Sequence, residues 1–111
     1  MKYLLLIVLT LALLTGCEQM FGTASASVQI TDTYKSGDYV YIYYQLTNTG
    51  DYTIDYYKVF FDISTSGGTI TTWDNGLDVK MGTTVSDWTM EYIGSAAFNG
   101  TTVRSTELTG Y

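Results

Sequence analysis

Histidine and proline are absent from the 111 residues, and cysteine occurs once. Without histidine the chain lacks the commonest general base and the commonest metal ligand. A single cysteine, Cys17, excludes an internal disulfide. Positive charge is scarce, with Lys+Arg 5 against Asp+Glu 11 and a formal net charge of −6. Phosphate backbones are held by clustered Lys and Arg, so nucleic acid is excluded as a partner. No helical periodicity follows the N-terminal apolar segment. What is abundant is Tyr 11 and Gly 11, with many Thr, Val and Ile. These residues favour pleated, half-buried surfaces and the turns between them, the composition of a β protein. The length leaves room for one small domain.

The N-terminus reads as a targeting device. Lys2 supplies a basic start, and Tyr3 to Leu14 (YLLLIVLTLALL) is an apolar run with the length of a secretory signal core. A standard bilayer-crossing helix needs roughly 20 apolar residues, more than this run offers. Leu14-Thr15-Gly16-Cys17 then resembles the lipobox of bacterial lipoproteins. That resemblance implies cleavage before Cys17, a diacylglycerol on its thiol and an acyl chain such as palmitate on its new amine. A plain signal peptide with a free thiol, or a short buried helix, is the alternative. Lipidation accounts for the unpaired cysteine in an exported chain, and two or more acyl chains anchor a protein stably where one is marginal. Residues 1–16 are thus a lipoprotein signal peptide, expected to be helical. Residues 17–27 (CEQMFGTASAS) are a flexible tether, and 28–111 form the domain.

Alternation of apolar and polar residues predicts about seven short strands in the domain. Val28 to Tyr34 places Val28 and Ile30 on one face. After a Lys35–Asp38 turn, Tyr39 to Thr47 places Val40, Ile42, Tyr44 and Leu46 inward and Tyr39, Tyr41, Tyr43, Gln45 and Thr47 outward. Asn48–Asp51 is a second turn; Ile54, Tyr57, Val59, Phe61 and Ile63 form the next inward set, with Phe60 left outward under a neighbouring loop. Asn75-Gly76 is the strongest short hairpin signal. It divides Thr69–Asp74 from Leu77–Met81, pairs Ile70 with Met81 and Thr72 with Val79, and leaves Trp73 on the face of Asp78 and Lys80. Val85 to Tyr92 alternates with Trp88, Met90 and Tyr92 on one side. A loop over Gly94–Gly100 leads to a last polar strand, Thr101–Thr109. Close strand spacing predicts a small antiparallel β-sandwich.

The segment Leu46-Thr47-Asn48-Thr49-Gly50-Asp51, with Ile54, Tyr57-Lys58-Val59-Phe60-Phe61-Asp62, Gly67-Gly68 and Leu77 to Met81-Gly82-Thr83-Thr84, resembles the FxLYD-type domains. These are small immunoglobulin-like β-sandwiches of bacterial and archaeal envelope proteins. The resemblance spans about Tyr39 to Thr84. Met81 departs from it, standing where such domains often carry proline. It implies an immunoglobulin-like fold and an extracytoplasmic setting, with no catalytic residues and no defined ligand.

Few residues mark a site. Tyr39, Tyr41 and Tyr43, extended by Tyr56, form a candidate ligand or partner face, since tyrosine joins apolar area to a polar tip. Cross-strand pairing that stiffens the sheet, or cover by an adjacent loop, explains the same row. Asp74, Asn75 and Asp78, and likewise Asp51 and Asp55, lack the spacing of a calcium loop and read as turn residues. Asn99-Gly100-Thr101 matches the glycosylation acceptor pattern, which a bacterial lipobox argues against using. Asp55 and Asp62 are not marked out as a glycosidase pair, and no pocket is indicated for a serine with Lys35, Lys58, Lys80 or Arg104. The expectation is a non-catalytic module of the bacterial cell envelope, without cofactor or metal. It is anchored to the inner or outer membrane through Cys17 and engages a protein, or alternatively a glycan through its tyrosines.

Overall fold

The structure, a computed structural model, describes residues 24–110. The expected signal peptide, the expected lipidation site Cys17 and the expected tether up to Thr23 lie outside the described residues. Six strands are present: β1 (Ala26–Ser36), β2 (Tyr39–Asn48), β3 (Ile54–Thr65), β4 (Gly68–Val79), β5 (Thr84–Tyr92) and β6 (Phe98–Gly110). They form two antiparallel three-stranded sheets, β1-β2-β5 and β4-β3-β6, which we call sheets A and B. Tight turns join β1 to β2 and β3 to β4 within a sheet. The chain crosses between sheets after β2, β4 and β5.

The two central strands make the core. Val40, Ile42, Tyr44 and Leu46 of β2 and Ile54, Tyr57, Val59, Phe61 and Ile63 of β3 are all buried, joined among the described residues only by the buried apolar residues Val79 and Ile93. Alternation thus identified both inward faces, because period-two side chains on a half-buried strand cannot change register without exposing the whole set. Val28, Ile30, Ile70, Val85, Phe98, Val103 and Leu108 close the core from the flanking strands.

Among the described residues three polar ones are buried, Asn48, Thr65 and Thr72. Asn48 shows how the cost of burial is offset. Its Nδ2 donates to the carbonyls of Tyr52 (2.8 Å) and Val79 (2.9 Å), and its Oδ1 accepts from Gly50 N–H (2.9 Å). Its backbone N–H donates to Thr83 O, and its carbonyl accepts from Gly82 N–H. One amide therefore ties both connections at this end of the sandwich. At the other end, Thr65 Oγ1 donates to Gly68 O and accepts from Gly67 N–H, fixing the two-residue β3–β4 turn.

The hairpin expected at Asn75-Gly76 does not form, and that lowers the strand count from seven to six. β4 runs straight through both residues, so Ile70 pairs with Ile63 and Thr72 with Phe61 instead of with Met81 and Val79. The glycine serves a close approach instead. Gly76 is paired with Tyr57, and a Cβ at Gly76 would overlap the Tyr57 ring. A strand glycine of this kind marks contact rather than reversal. Near its end β4 passes through Asp78, whose φ of 57° puts Val79 inward and leaves Leu77 exposed. Trp73 does not share a patch with Asp78 and Lys80; it lies opposite Phe60, with Lys58 Nζ 4.5 Å from its ring centre. Phe60 is flanked by Trp73 and Lys58. The outer strands also run longer than expected: β1 begins at Ala26, and β6 begins at Phe98.

Replacing Gly76 by alanine is expected to cost about 1–3 kcal/mol, the usual range for forcing atoms into a packed site. Asn75→Ala beside it, on an exposed position, should stay within about 0.5 kcal/mol. Urea unfolding of both variants checks this; equal losses would favour a structural turn at the pair.

Candidate functional site

The outer face of sheet A is built as five cross-strand rows. From the end near Asn48 they are Ser27–Thr47–Thr84, Gln29–Gln45–Ser86, Asp32–Tyr43–Trp88, Tyr34–Tyr41–Met90 and Ser36–Tyr39–Tyr92. The first two rows are hydroxyls and amides. The last three gather six aromatic rings and a methionine. Tyr34, Tyr39, Trp88, Met90 and Tyr92 are each 39% exposed or more, so most of the large apolar side chains left open in the described residues share this half-face. A contiguous aromatic surface of this kind is what interaction sites present.

The rings order one another. Tyr34 stacks on Tyr41 (5.5 Å between centres) and on Tyr43 (6.1 Å). Tyr41 and Tyr43 each lie 6.1 Å from Trp88, with planes inclined by 31° and 27°. Tyr39 meets Tyr92 edge to face at 5.5 Å. Such pairs contribute about 0.5–1.5 kcal/mol each beyond area burial. The row therefore stiffens the sheet and still leaves ring surface to solvent. An open depression of about 170 Å³ flanks it, lined by Thr31, Tyr43, Tyr44, Ser86, Asp87 and Trp88.

Tyr39, Tyr41 and Tyr43 are thus brought together as their alternation predicts. Tyr56 is not with them. It sits on β3, on the outer face of sheet B, where Asn75 Nδ2 approaches its hydroxyl at 3.4 Å. Adjacency in composition suggested a shared face; the crossover after β2 puts the residue on the other sheet. Tyr34 was missed for a different reason. Strict alternation would place it inward with Val28 and Ile30, but the β1–β2 register slips between Ile30 and Asp32. This bulge turns Tyr34 out and Thr33 in, re-aiming a side chain as bulges do. Thr33 Oγ1 then donates to Tyr41 O and contacts Thr101 Oγ1 at 2.9 Å, linking the two sheets. Trp88, Met90 and Tyr92 were correctly grouped, but only the β2–β5 pairing reveals that they extend the tyrosines.

A second cluster is internal. Tyr44 donates to Asp74 Oδ2 at 2.6 Å. Having spent its one proton there, Tyr44 accepts from Tyr57 at 3.0 Å. Burial, then the bond to Asp74, drives the Tyr44 hydroxyl far above the ordinary tyrosine range. Burial likewise raises Tyr57. Asp74 is raised chiefly by burial and further by the charge of Asp87, against the opposing pull of the Tyr44 hydroxyl and the Asn75 backbone. These hydrogen bonds clasp β2, β3 and β4 together.

The remaining polar candidates do not converge. Asp74 points inward, Asn75 outward, and Asp78 pairs with Lys80 at 2.9 Å. Asp51 and Asp55 are exposed. Among the described residues no group of three His, Cys, Asp or Glu side chains is placed to hold a metal. Asp62 is bound by Arg104 (3.1 Å) and Thr71 (2.7 Å). It lies about 23 Å along the strand from Asp55, too far for a glycosidase pair. Asn99 is exposed on β6. No helix among the described residues is long and apolar enough to cross a membrane.

Asp74 supplies a pH test. A carboxyl raised above its ordinary value of 3.8 makes the folded state hold its proton more tightly than the unfolded chain does. Its contribution is therefore most favourable below that value, falls as pH rises to the folded-state value, and is flat above. Asp74→Asn lacks this slope, so its stability relative to the parent should climb through that window and then level off. Chemical unfolding across acidic pH measures the difference; a constant offset would contradict it.

Comparison of the chain with protein-family models, with curated proteins and with solved structures returns no match.

Proposed function

We propose that this chain is a non-catalytic, lipid-anchored module of the bacterial cell envelope that binds a protein partner through the aromatic half of sheet A. The observation that carries the reading is the segregation of that face. Three consecutive rows hold Tyr34, Tyr39, Tyr41, Tyr43, Trp88, Met90 and Tyr92, while the two rows beside them hold only small hydroxyl and amide side chains. Sheet stiffness alone would not require the rings to be confined to one end. Tyrosine and tryptophan provide large, rigid contact area, and methionine adapts to the opposing surface.

The envelope setting is supported by the signal-like N-terminus and by Leu14-Thr15-Gly16-Cys17. The alternation of in-sheet turns with cross-sheet connections supports an immunoglobulin-like description and the FxLYD-type resemblance. A glycan is the second reading. It is favoured by the depression beside Trp88, where Thr31, Ser86 and Asp87 offer hydroxyl and carboxylate groups next to ring surface.

The full chain carrying a photo-crosslinking residue at position 88 is expected to yield a discrete protein adduct in cells. The same residue at position 77, exposed on sheet B, should yield none. Tyr41→Ala with Tyr43→Ala should reduce the adduct about tenfold. Absence of an adduct at 88, or equal adducts at both positions, would remove the binding reading. Mass analysis of the exported product should find Cys17 at its N-terminus carrying diacylglycerol, and Cys17→Ser should abolish membrane retention.

A further inference from the structure

Resting on the aromatic-face reading, we infer that the partner presented to sheet A is a cationic polypeptide segment whose Lys or Arg side chains lie against the Tyr34–Tyr41–Tyr43–Trp88 rings. The described residues contain four cations, and each is engaged away from this face. Lys35 crosses the end of the sandwich to donate to Ala96 O at 2.9 Å. Lys58 lies over Trp73 and Phe60 on sheet B. Lys80 pairs with Asp78, and Arg104 with Asp62.

The aromatic half of the outer face of sheet A therefore carries no cation, and carboxylates stand within it and along its β5 edge. Asp32 shares a row with Tyr43 and Trp88. Asp38 occupies the β1–β2 turn beside Tyr39. Asp87 precedes Trp88 and accepts its backbone N–H at 2.8 Å. Glu91, like Asp87, occupies a β5 register opposite a buried β2 residue, Val40 and Tyr44 respectively, so both stand at the edge of the ring-bearing face and not on it. None of these four carboxylates is held by a cation within the described residues.

The molecule supplies its own precedent for what such a surface accepts. On sheet B an ammonium rests 4.5 Å from the centre of an exposed tryptophan, with Phe60 alongside. Sheet A presents a tryptophan of similar exposure, 48% against 49%, with tyrosines in place of the phenylalanine and no ammonium. A cation over an aromatic face gains from the ring quadrupole, and nearby carboxylates add to the attraction. Strand addition along the β5 edge is opposed by Asp87, which already occupies an edge N–H. The segment therefore lies across the face.

The test uses the full chain in detergent micelles. The sequence has two tryptophans, so a Trp73→Phe chain reports from Trp88 alone. Titration with deca-lysine should shift Trp88 emission saturably, and raising salt from about 0.01 M to about 0.1 M, which shortens the Debye length from about 30 Å to about 10 Å, should weaken binding about tenfold. Asp32→Asn with Asp38→Asn should also weaken it about tenfold, with Trp88 emission in the free chain unchanged. A Trp88→Phe chain, reporting from Trp73, should show no shift. An equal response from Trp73, or undiminished binding by the double variant, would overturn the inference by showing generic attraction or none to these acids. So would a response to a glucosamine oligomer or to anionic vesicles but not to deca-lysine. If deca-lysine fails while the position-88 adduct persists, the face binds without selecting charge and only this inference falls. If both fail, the aromatic-face reading falls with it.

Discussion

The packing of β2 on β3 is the constraint from which the rest of the sandwich follows. These strands are central in their respective sheets and supply nearly all of the fully buried apolar side chains. Apolar burial is worth about 25 cal/mol per Å², so the pairing of two unbroken apolar faces outweighs any local preference of the flanking strands. Tyr44, Tyr57 and Asp74 form the polar seam within it. Their hydrogen bonds set how closely the sheets approach, and Gly76 gives the Tyr57 ring the space it occupies.

That constraint also explains what could be read from sequence. Val40 to Leu46 and Tyr57 to Ile63 were legible because each is a long alternating run whose inward set is wholly apolar or aromatic. Asn75-Gly76 misled because local turn chemistry and tertiary contact leave the same residues in the sequence. Only the position of Tyr57 across the strand pair separates them. Tyr34 was hidden by a slip of one residue at Thr31, which no alternation pattern records. The site was half legible: the tyrosines of β2 were visible, whereas Trp88, Met90 and Tyr92 joined them only through a strand order that skips β3 and β4.

Both sheets have exposed edges, and charged residues guard three of the four. Asp87 and Glu91 on β5, Asp74 on β4 and Lys35 on β1 all occupy registers opposite buried residues, where an added strand would enclose them. Enclosing a charge is costly, so these positions oppose edge-to-edge association. β6 carries no such charge, but its pairing with β3 is interrupted by register slips. The surface open to association is consequently a face, and the aromatic half of sheet A is the apolar one.

The strand directions have a mechanical consequence. β1 begins and β6 ends beside the Asn48–Ile54 connection, whereas the aromatic rows lie toward the opposite tip of the sandwich. A chain held at Cys17 would carry its rings outboard, with the polar rows acting as a stalk. The proposed anchor and the rings would thus sit at opposite ends of one rigid body, so a partner would meet the rings a sandwich-length away from the membrane.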